Sequence, residues 1–127
     1  MSTLPSLMVV DDEEELAHLF MELLKGSGFN CFSFTDPLLA IKHFGQNPEK
    51  YSIILTDLRM PGISGIELAK RIREYSSNVK IILITAFYAD NIFNNDELKE
   101  ANISNVLQKP VKLAQLRTHV MELCNSC

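Results

Sequence analysis

Short apolar runs alternate along the chain with segments in which apolar residues recur every three or four positions. An uninterrupted apolar run bounded by polar residues is typical of a strand that is buried on both faces of a sheet. Such runs, with two shorter β-rich segments, predict five strands, at Ser6–Val10, Phe29–Phe34, Tyr51–Thr56, Val79–Ile84 and Asn105–Leu107.

The segments between the predicted strands have the apolar spacing of amphipathic helices. The clearest of them ends at Gly26-Ser27-Gly28 and carries a stripe that we expect to be buried, formed by Leu16, Leu19, Phe20, Leu23 and Leu24. Asp36-Pro37 has the form of an N-cap and a first helical residue. The pattern predicts four further helices, from Pro37 to about Phe44, around Ile66 to Ile72, from Asn95 to Ala101 and around Leu113 to Leu123.

Strands that alternate with helices predict an α/β fold, a single doubly wound five-stranded parallel sheet with helices on both faces. In such sheets, ligands bind outside the carboxyl ends of the strands. Polar residues lie where four of the apolar runs end, namely Asp11, Asp12, Asp57, Thr85 and Lys109. We therefore expect these side chains to meet in one crevice at the edge of the sheet.

Three carboxylates held close together need a compensating cation to remain ionised. Mg²⁺ binds one or two carboxylates together with waters and a phosphate group, so it suits this set. The expected direct ligands are Asp12 and Asp57, with Asp11 bound directly or through water and the backbone carbonyl of Arg59 completing the protein ligands. Alternatively, Asp11 and Asp12 could be first-turn acids that stabilise the start of a helix. We adopt that interpretation for Glu13, Glu14 and Glu15.

Asp57 is the expected nucleophile, because a carboxylate that attacks phosphorus forms an acyl phosphate. The Lys109 ammonium would pair with Asp57 in the empty site and with a phosphoryl oxygen in the filled one. Thr85, in a loop that can move, would donate its hydroxyl to the phosphoryl group. We also expect a cis peptide at Lys109-Pro110. The three histidines lack partners at ligand spacing.

Composition narrows the classes of function. The chain has 127 residues, which suits one domain, and its net charge of −4 argues against binding nucleic acid through phosphate neutralisation. No apolar run reaches the roughly 18 residues of a membrane span, and no signal peptide is evident, so we expect a soluble cytoplasmic protein. Cys124-Asn125-Ser126-Cys127 closes the last helix, where the dipole disfavours a thiolate, so we expect no redox role.

Four segments together resemble the signatures of response-regulator receiver domains, the CheY-like family of two-component signalling. They are Val9-Val10-Asp11-Asp12-Glu13, Leu55-Thr56-Asp57-Leu58-Arg59-Met60-Pro61-Gly62 with Gly65 after it, Ile84-Thr85-Ala86 and Gln108-Lys109-Pro110. The resemblance implies a flavodoxin-like sheet of order 2-1-3-4-5. It also implies a single receiver domain over residues 1–127, with its core at about 6–124.

The resemblance further implies a phosphorylation switch. A sensor histidine kinase or a histidine phosphotransfer protein would donate its phosphoryl group to Asp57 with Mg²⁺ bound. Thr85 would move toward the phosphate, and a face formed by the fourth helix, fifth strand and fifth helix would engage an effector or a linked output domain. The domain would catalyse its own phosphorylation and slow hydrolysis without being a turnover enzyme. A phosphorylation-dependent dimer is compatible with this scheme.

Val106 departs from the family pattern, and two other residues bear on hydrolysis. Val106 stands three residues before Lys109, where the family usually has an aromatic residue that swings inward, and Phe87 or Tyr88 lies near enough to substitute. Arg59 and Phe87 stand where the family flanks the path of the attacking water. We hypothesise that Phe87 obstructs that water, so that Phe87→Ala would accelerate dephosphorylation.

Two other functions compete with the receiver. A Mg²⁺-dependent phosphohydrolase with an aspartate nucleophile needs a second acid two residues later, and Arg59 stands there instead. A degenerate receiver used only for protein association is disfavoured because all five site residues are present. Cation binding would separate that last possibility from an active receiver.

Overall fold

The computed structural model describes residues 5–86 and 95–125. Within them, five strands alternate with five helices. The strands are β1 (Ser6–Val10), β2 (Asn30–Phe34), β3 (Ile53–Asp57), β4 (Lys80–Thr85) and β5 (Asn105–Gln108). The helices are α1 (Glu14–Gly26), α2 (Pro37–Gln46), α3 (Gly65–Arg73), α4 (Asn95–Glu100) and α5 (Leu113–Asn125). Each element begins and ends within two residues of a predicted boundary wherever both bounds were predicted.

The five strands form one parallel sheet in the order β2-β1-β3-β4-β5, so the predicted fold class and strand order are confirmed. Its chain order reverses beside β1, which leaves the carboxyl ends of β1 and β3 next to each other. Val10 pairs with Thr56, and Asp57 pairs with Ile84. Because the strands are in register, polar residues at their ends meet at one edge of the sheet.

Apolar side chains cover both faces of the sheet. One core lies under α1 and α5, around Phe20, Leu24 and Val120, and the other lies under α2 and α3, around Phe44 and Ile72. The two-sided burial explains why β1, β3 and β4 read as continuous apolar runs rather than alternating ones.

The predicted buried stripe of α1 is wrong at Leu19, which is 47% exposed. The five apolar positions span more of the helix surface than the sheet can cover. Ala17, Phe20 and Leu24 face the core, and Leu16 and Leu23 pack at its margin. Leu19 therefore lies on the solvent side of the stripe.

Two helix starts have the capping bonds typical of their sequences. The Asp36 carboxylate accepts the Leu38 N–H at 2.9 Å ahead of α2, as predicted. The Ser64 hydroxyl accepts the Glu67 N–H at 3.1 Å at the start of α3. None of the helices in the described ranges has the length and apolar composition to cross a bilayer.

Two basic residues of α3 contact α4 and the turn that follows it. The Arg73 guanidinium donates to the carbonyl of Ala101 at 2.9 Å and to that of Asn102 at 2.8 Å, just beyond the end of α4. Lys70 lies 3.7 Å from the Glu100 carboxylate. Two side chains of α3 therefore hold the carboxyl-terminal end of α4.

Candidate functional site

The predicted site residues converge at the carboxyl edge of the sheet. Asp57 and Thr85 are the last residues of β3 and β4, so Thr85 belongs to a strand rather than to the predicted movable loop. The ladder continues past the strand ends, because the Leu58 N–H donates to the Ile84 carbonyl at 2.9 Å and the Lys109 N–H donates to the Thr85 carbonyl at 2.8 Å. These bonds fix the backbone that carries the site.

Three carboxylates form the centre of the site. One oxygen each of Asp11, Asp12 and Asp57 lies within 4.8 Å of the others. Asp11 and Asp57 are buried, whereas Asp12 is exposed. The Asp11 carboxylate is oriented by the Glu13 N–H, which donates to it at 2.9 Å.

This donor set fits Mg²⁺. The ion prefers hard oxygen ligands at about 2.1 Å, so oxygens on opposite sides of one ion lie about 4 Å apart. Neighbouring oxygens of an octahedral ion lie about 3 Å apart, so the three carboxylates must draw together when the ion binds. The exposed position of Asp12 also leaves room for the waters that Mg²⁺ retains. Arg59, whose carbonyl is the predicted fourth protein ligand, lines a cavity beside Asp57. Its role as a ligand stays a prediction.

Lys109 supplies the positive charge of the site. Its ammonium nitrogen lies 3.1 Å from the Asp57 carboxylate, so the expected pairing is present. The Lys109-Pro110 peptide is cis, as predicted. Lys109 directly follows β5, which lies beside β4, and its side chain reaches Asp57 at the end of β3.

A cavity of about 270 Å³ surrounds the Asp57 carboxylate. Its walls are formed by Glu13, Asp57, Leu58, Arg59, Thr85, Ala86 and Lys109. Drug-sized ligands occupy clefts of roughly 300–1,000 Å³. The volume therefore suits a phosphoryl group and an ion better than a large substrate.

Glu13 was predicted to be only a first-turn acid of the helix, yet it lies on the cavity wall. It is the N-cap residue of α1, but its side chain makes no capping bond. The signal that could have revealed it is its position directly after Asp12, where the chain turns from β1 into α1. Its carboxylate adds negative charge to the site.

Burial and charge shift the pKa values of the central residues. Burial raises the pKa of Asp11 to about 6, and the nearby Asp57 charge adds to the rise. Burial also raises the pKa of Asp57, and its bond to Lys109 opposes that rise without cancelling it. For Lys109, burial lowers the pKa, but the hydrogen bond and charge of Asp57 outweigh it and the net pKa is raised. Lys109 therefore keeps its charge at neutral pH.

Gly65 allows α3 to start against the backbone of Asp57. A Cβ at this position would lie 2.3 Å from the Asp57 carbonyl oxygen and 2.9 Å from a Leu83 methyl group. The Gly65 N–H also donates to the Leu58 carbonyl at 2.7 Å. A glycine is therefore needed here for close approach.

We expect Gly65→Ala to destabilise the fold by about 1–3 kcal/mol, because the added methyl group must push the Asp57 backbone or the helix aside. Urea unfolding followed by circular dichroism measures this loss. Gly26→Ala is the matched control, since a Cβ at Gly26 meets nothing within 4 Å. Equal stability of the two variants would contradict the close approach.

Some residues named in the sequence analysis are either outside the described ranges or not part of the cavity wall. Phe87, Tyr88 and Cys127 lie outside the described residues, so the proposed obstruction of water by Phe87 and the Cys124–Cys127 motif stay untested. Val106 is partly buried on β5.

Residues 7–121 match the family described as the response regulator receiver domain. That match covers most of the chain, and the chain belongs to this family. Its fold and the acidic site at the edge of its sheet agree with that membership. It is a receiver domain of two-component signalling, and domains of this family act as phosphoryl-accepting switches.

Individual relatives agree with this assignment. The chain is 27% identical over 117 residues to the response regulator receiver protein CpdR of Brucella abortus, covering 92% of this chain and 94% of the relative. It is 26% identical over 114 residues to sporulation initiation phosphotransferase F of Bacillus subtilis, covering 90% of this chain and 89% of the relative.

A solved structure is similar along nearly its whole length. The response regulator protein TrrA of Thermotoga maritima, crystallised in complex with Mg²⁺ and BeF, superposes with a TM-score of 0.79 at 29% identity. The similarity covers 94% of this chain and 99% of that one. Domains of the family interact with histidine kinases or phosphotransfer proteins and with output domains.

Proposed function

We propose that Asp57 accepts a phosphoryl group from a sensor histidine kinase or a histidine phosphotransfer protein. The observation that carries this proposal is the acidic cluster in which the Asp57 carboxylate lies beside those of Asp11 and Asp12 and is contacted by the Lys109 ammonium, next to a cavity that Asp57, Thr85 and Lys109 line. Asp11, Asp12, Asp57 and the Arg59 carbonyl would hold Mg²⁺. Bound there, Mg²⁺ would neutralise charge on the phosphoryl oxygens.

The chain's own groups divide the remaining work. An Asp57 carboxylate oxygen forms the bond to phosphorus, and the bond from phosphorus to the imidazole nitrogen of the donor breaks. The bonding pair stays on that nitrogen. Lys109 compensates charge on one phosphoryl oxygen, and the Thr85 hydroxyl donates to another. Because Lys109 contacts Asp57 before transfer, the ammonium has only a short distance to move.

Self-catalysis follows from this arrangement. Lys109, Thr85 and the residues that would hold Mg²⁺ all belong to the receiver, so a small phosphodonor can replace the protein donor. The same groups would assist the attack of a water on phosphorus, which gives slow hydrolysis. A relative named as a phosphotransferase and one crystallised with Mg²⁺ and BeF support this chemistry.

The switched face would comprise α4, β5 and α5, next to Thr85 and Lys109. A movement of Thr85 at the end of β4 reaches β5 through the Lys109 N–H bond to the Thr85 carbonyl. This face would engage an effector or a linked output domain, or a second phosphorylated copy. One receiver domain would occupy residues 1–127.

The test is incubation with acetyl phosphate, with and without Mg²⁺, followed by intact-protein mass spectrometry. We expect a Mg²⁺-dependent mass gain of one phosphoryl group that Asp57→Asn abolishes completely. Asp36→Asn is the matched control, because asparagine keeps the cap at the start of α2 and Asp36 belongs neither to the acidic cluster nor to the cavity wall.

Three results would point elsewhere. Modification of Asp57→Asn would move the acceptor to another residue. No adduct in the wild type, with Mg²⁺ present, would favour a receiver used only for association. Sustained release of phosphate from many equivalents of donor, without adduct, would favour the phosphohydrolase.

A further inference from the structure

Leu58 connects the phosphorylation site with the packing under α4. It follows Asp57 directly and is 5% exposed. Its N–H donates to the Ile84 carbonyl, and its own carbonyl accepts the Gly65 N–H. The side chain lines the Asp57 cavity and also a neighbouring cavity between α3 and α4. A shift of the Asp57 backbone therefore moves Leu58, and the reverse also holds.

Leu58 belongs to a small apolar cluster that is separate from the two main cores. We call it the α4 cluster; its buried members are Leu58, Ile66 and Leu83, and Leu98, Ile103 and Val106 pack against them. The cluster thus joins the residue after Asp57 to α4, to the turn that follows α4 and to β5. Among the three described apolar clusters, it is the one that includes a side chain of α4.

Val106, the residue of β5 in this cluster, has little freedom to change its side-chain conformation. Val106 is β-branched, so its χ1 angle is restricted, and it has little area to bury or expose. Val106 therefore forms a fixed wall. Of the three residues that pack against the buried members, Leu98 is the one without a β-branched side chain, so it has more rotamer freedom than Ile103 and Val106.

The described contacts of α4 join it to α3 and to the α4 cluster. Its carboxyl-terminal end is held by Arg73, through the carbonyls of Ala101 and Asn102, and by the Lys70–Glu100 pair. Leu98 packs on the α4 cluster. Leu98 therefore links this six-residue helix to Leu58.

We propose that Leu98 is a positioning residue for phosphoryl acceptance, because its packing on the α4 cluster holds Leu58 and, through Leu58, Asp57 in the accepting geometry. This inference rests on the proposed function. Since coupling between two sites is reciprocal, occupation of Asp57 also strengthens the packing of Leu98. The switch is then transmitted through aliphatic packing at Leu58 and Leu98.

The test measures the affinity of the full chain for beryllofluoride in saturating Mg²⁺ by calorimetry. We expect Leu98→Ala to weaken binding about tenfold, within the range typical of coupled sites. Leu98→Met conserves most of the side-chain volume and should restore binding to within about twofold of the wild type. Val106→Ala removes a smaller contact from the same cluster and should weaken binding in the same direction, by less.

The control for general destabilisation is Leu23→Ala, which truncates a partly buried leucine of α1 on the other face of the sheet. We expect it to lower stability without changing the affinity. A second readout follows the amide resonances of Ile103 and Val106, which should respond to beryllofluoride in the wild type and much less in Leu98→Ala.

The outcomes separate the two proposals. Tight binding by the wild type together with unchanged affinity in both Leu98→Ala and Val106→Ala would overturn the positioning role and leave the proposed function intact. Failure of the wild type to bind beryllofluoride at all would overturn the proposed function, and this inference with it. An equal loss of beryllofluoride affinity in Leu23→Ala would show that the effect of Leu98→Ala comes from general destabilisation, and it would also overturn the positioning role.

Discussion

Lys109→Met is expected to lower the rate of phosphoryl acceptance from acetyl phosphate about a hundredfold, the usual cost of removing one preorganised charge-stabilising group. The ammonium lies 3.1 Å from the Asp57 carboxylate and keeps its charge because the net shift of its pKa is upward. Methionine retains the length and apolar stem of the side chain. The loss therefore reports the charge rather than the packing.

Lys112→Met is the matched control, because Lys112 is exposed three residues further along the chain. It should accept phosphoryl groups at the wild-type rate. Lys109→Arg keeps a positive charge but replaces a compact ammonium with a planar fork, so we expect an intermediate rate. A rate for Lys109→Met within about threefold of the wild type would show that Lys109 does not stabilise the transfer.

The sheet and most of the site could be predicted from the sequence for one physical reason. Parallel strands buried on both faces read as uninterrupted apolar runs, and their carboxyl ends share an edge. Asp11, Asp57 and Lys109 follow or end such runs, so their meeting is a consequence of topology. Pairing of Asp57 with Ile84 and of Thr85 with Gln108 then sets their relative heights.

What could not be predicted depends on contacts between elements distant in the sequence. Arg73 has the spacing of a solvated helical residue, and only the position of α4 shows that its guanidinium meets the carbonyls of Ala101 and Asn102. Leu19 has the spacing of a core residue, and only the position of α1 on the sheet shows that it lies on the solvent side of the stripe. Hydrophobic periodicity defines a face of a helix, whereas the partner of that face is set by tertiary packing.

The α4 cluster shows the same limit. Leu58 lies in the motif that suggested the family, but its neighbours Leu98 and Val106 come from segments that follow much later in the chain. The six residues of α4 are too few to define a hydrophobic face. The connection between the site and the proposed switched face therefore became visible only in the packing.

Asp11→Asn is expected to stabilise the metal-free domain at neutral pH while it abolishes tight Mg²⁺ binding. Burial raises the pKa of Asp11 from 3.8 to about 6 in the folded state. Between pH 3.8 and about pH 6, Asp11 therefore keeps its proton in the folded state but has released it in the unfolded state. Stability contributed by that proton is present below about pH 4 and is lost as the pH rises through about 6. Asparagine carries no charge at either pH, so the variant avoids this loss.

Above about pH 6 we expect the metal-free variant to exceed the wild type by about 1–3 kcal/mol in the free energy of unfolding, since one pKa unit corresponds to about 1.4 kcal/mol and the buried amide offsets part of the gain. Urea unfolding at a series of pH values, in the presence of a chelator, measures the difference. Asp36→Asn is the control, because it makes the same exchange outside the acidic cluster and asparagine keeps the cap of α2.

Saturating Mg²⁺ should reverse the order of stability. The ion binds the folded wild type and stabilises it by mass action, whereas the variant has lost one of its three carboxylates. The midpoint of wild-type unfolding should therefore rise with Mg²⁺ concentration while that of Asp11→Asn stays constant. A metal-free wild type more stable than Asp11→Asn at pH 7 would contradict this prediction. It would mean that burying an ionised Asp11 costs no stability, so the carboxylates would not be held together at the expense of stability for a cation.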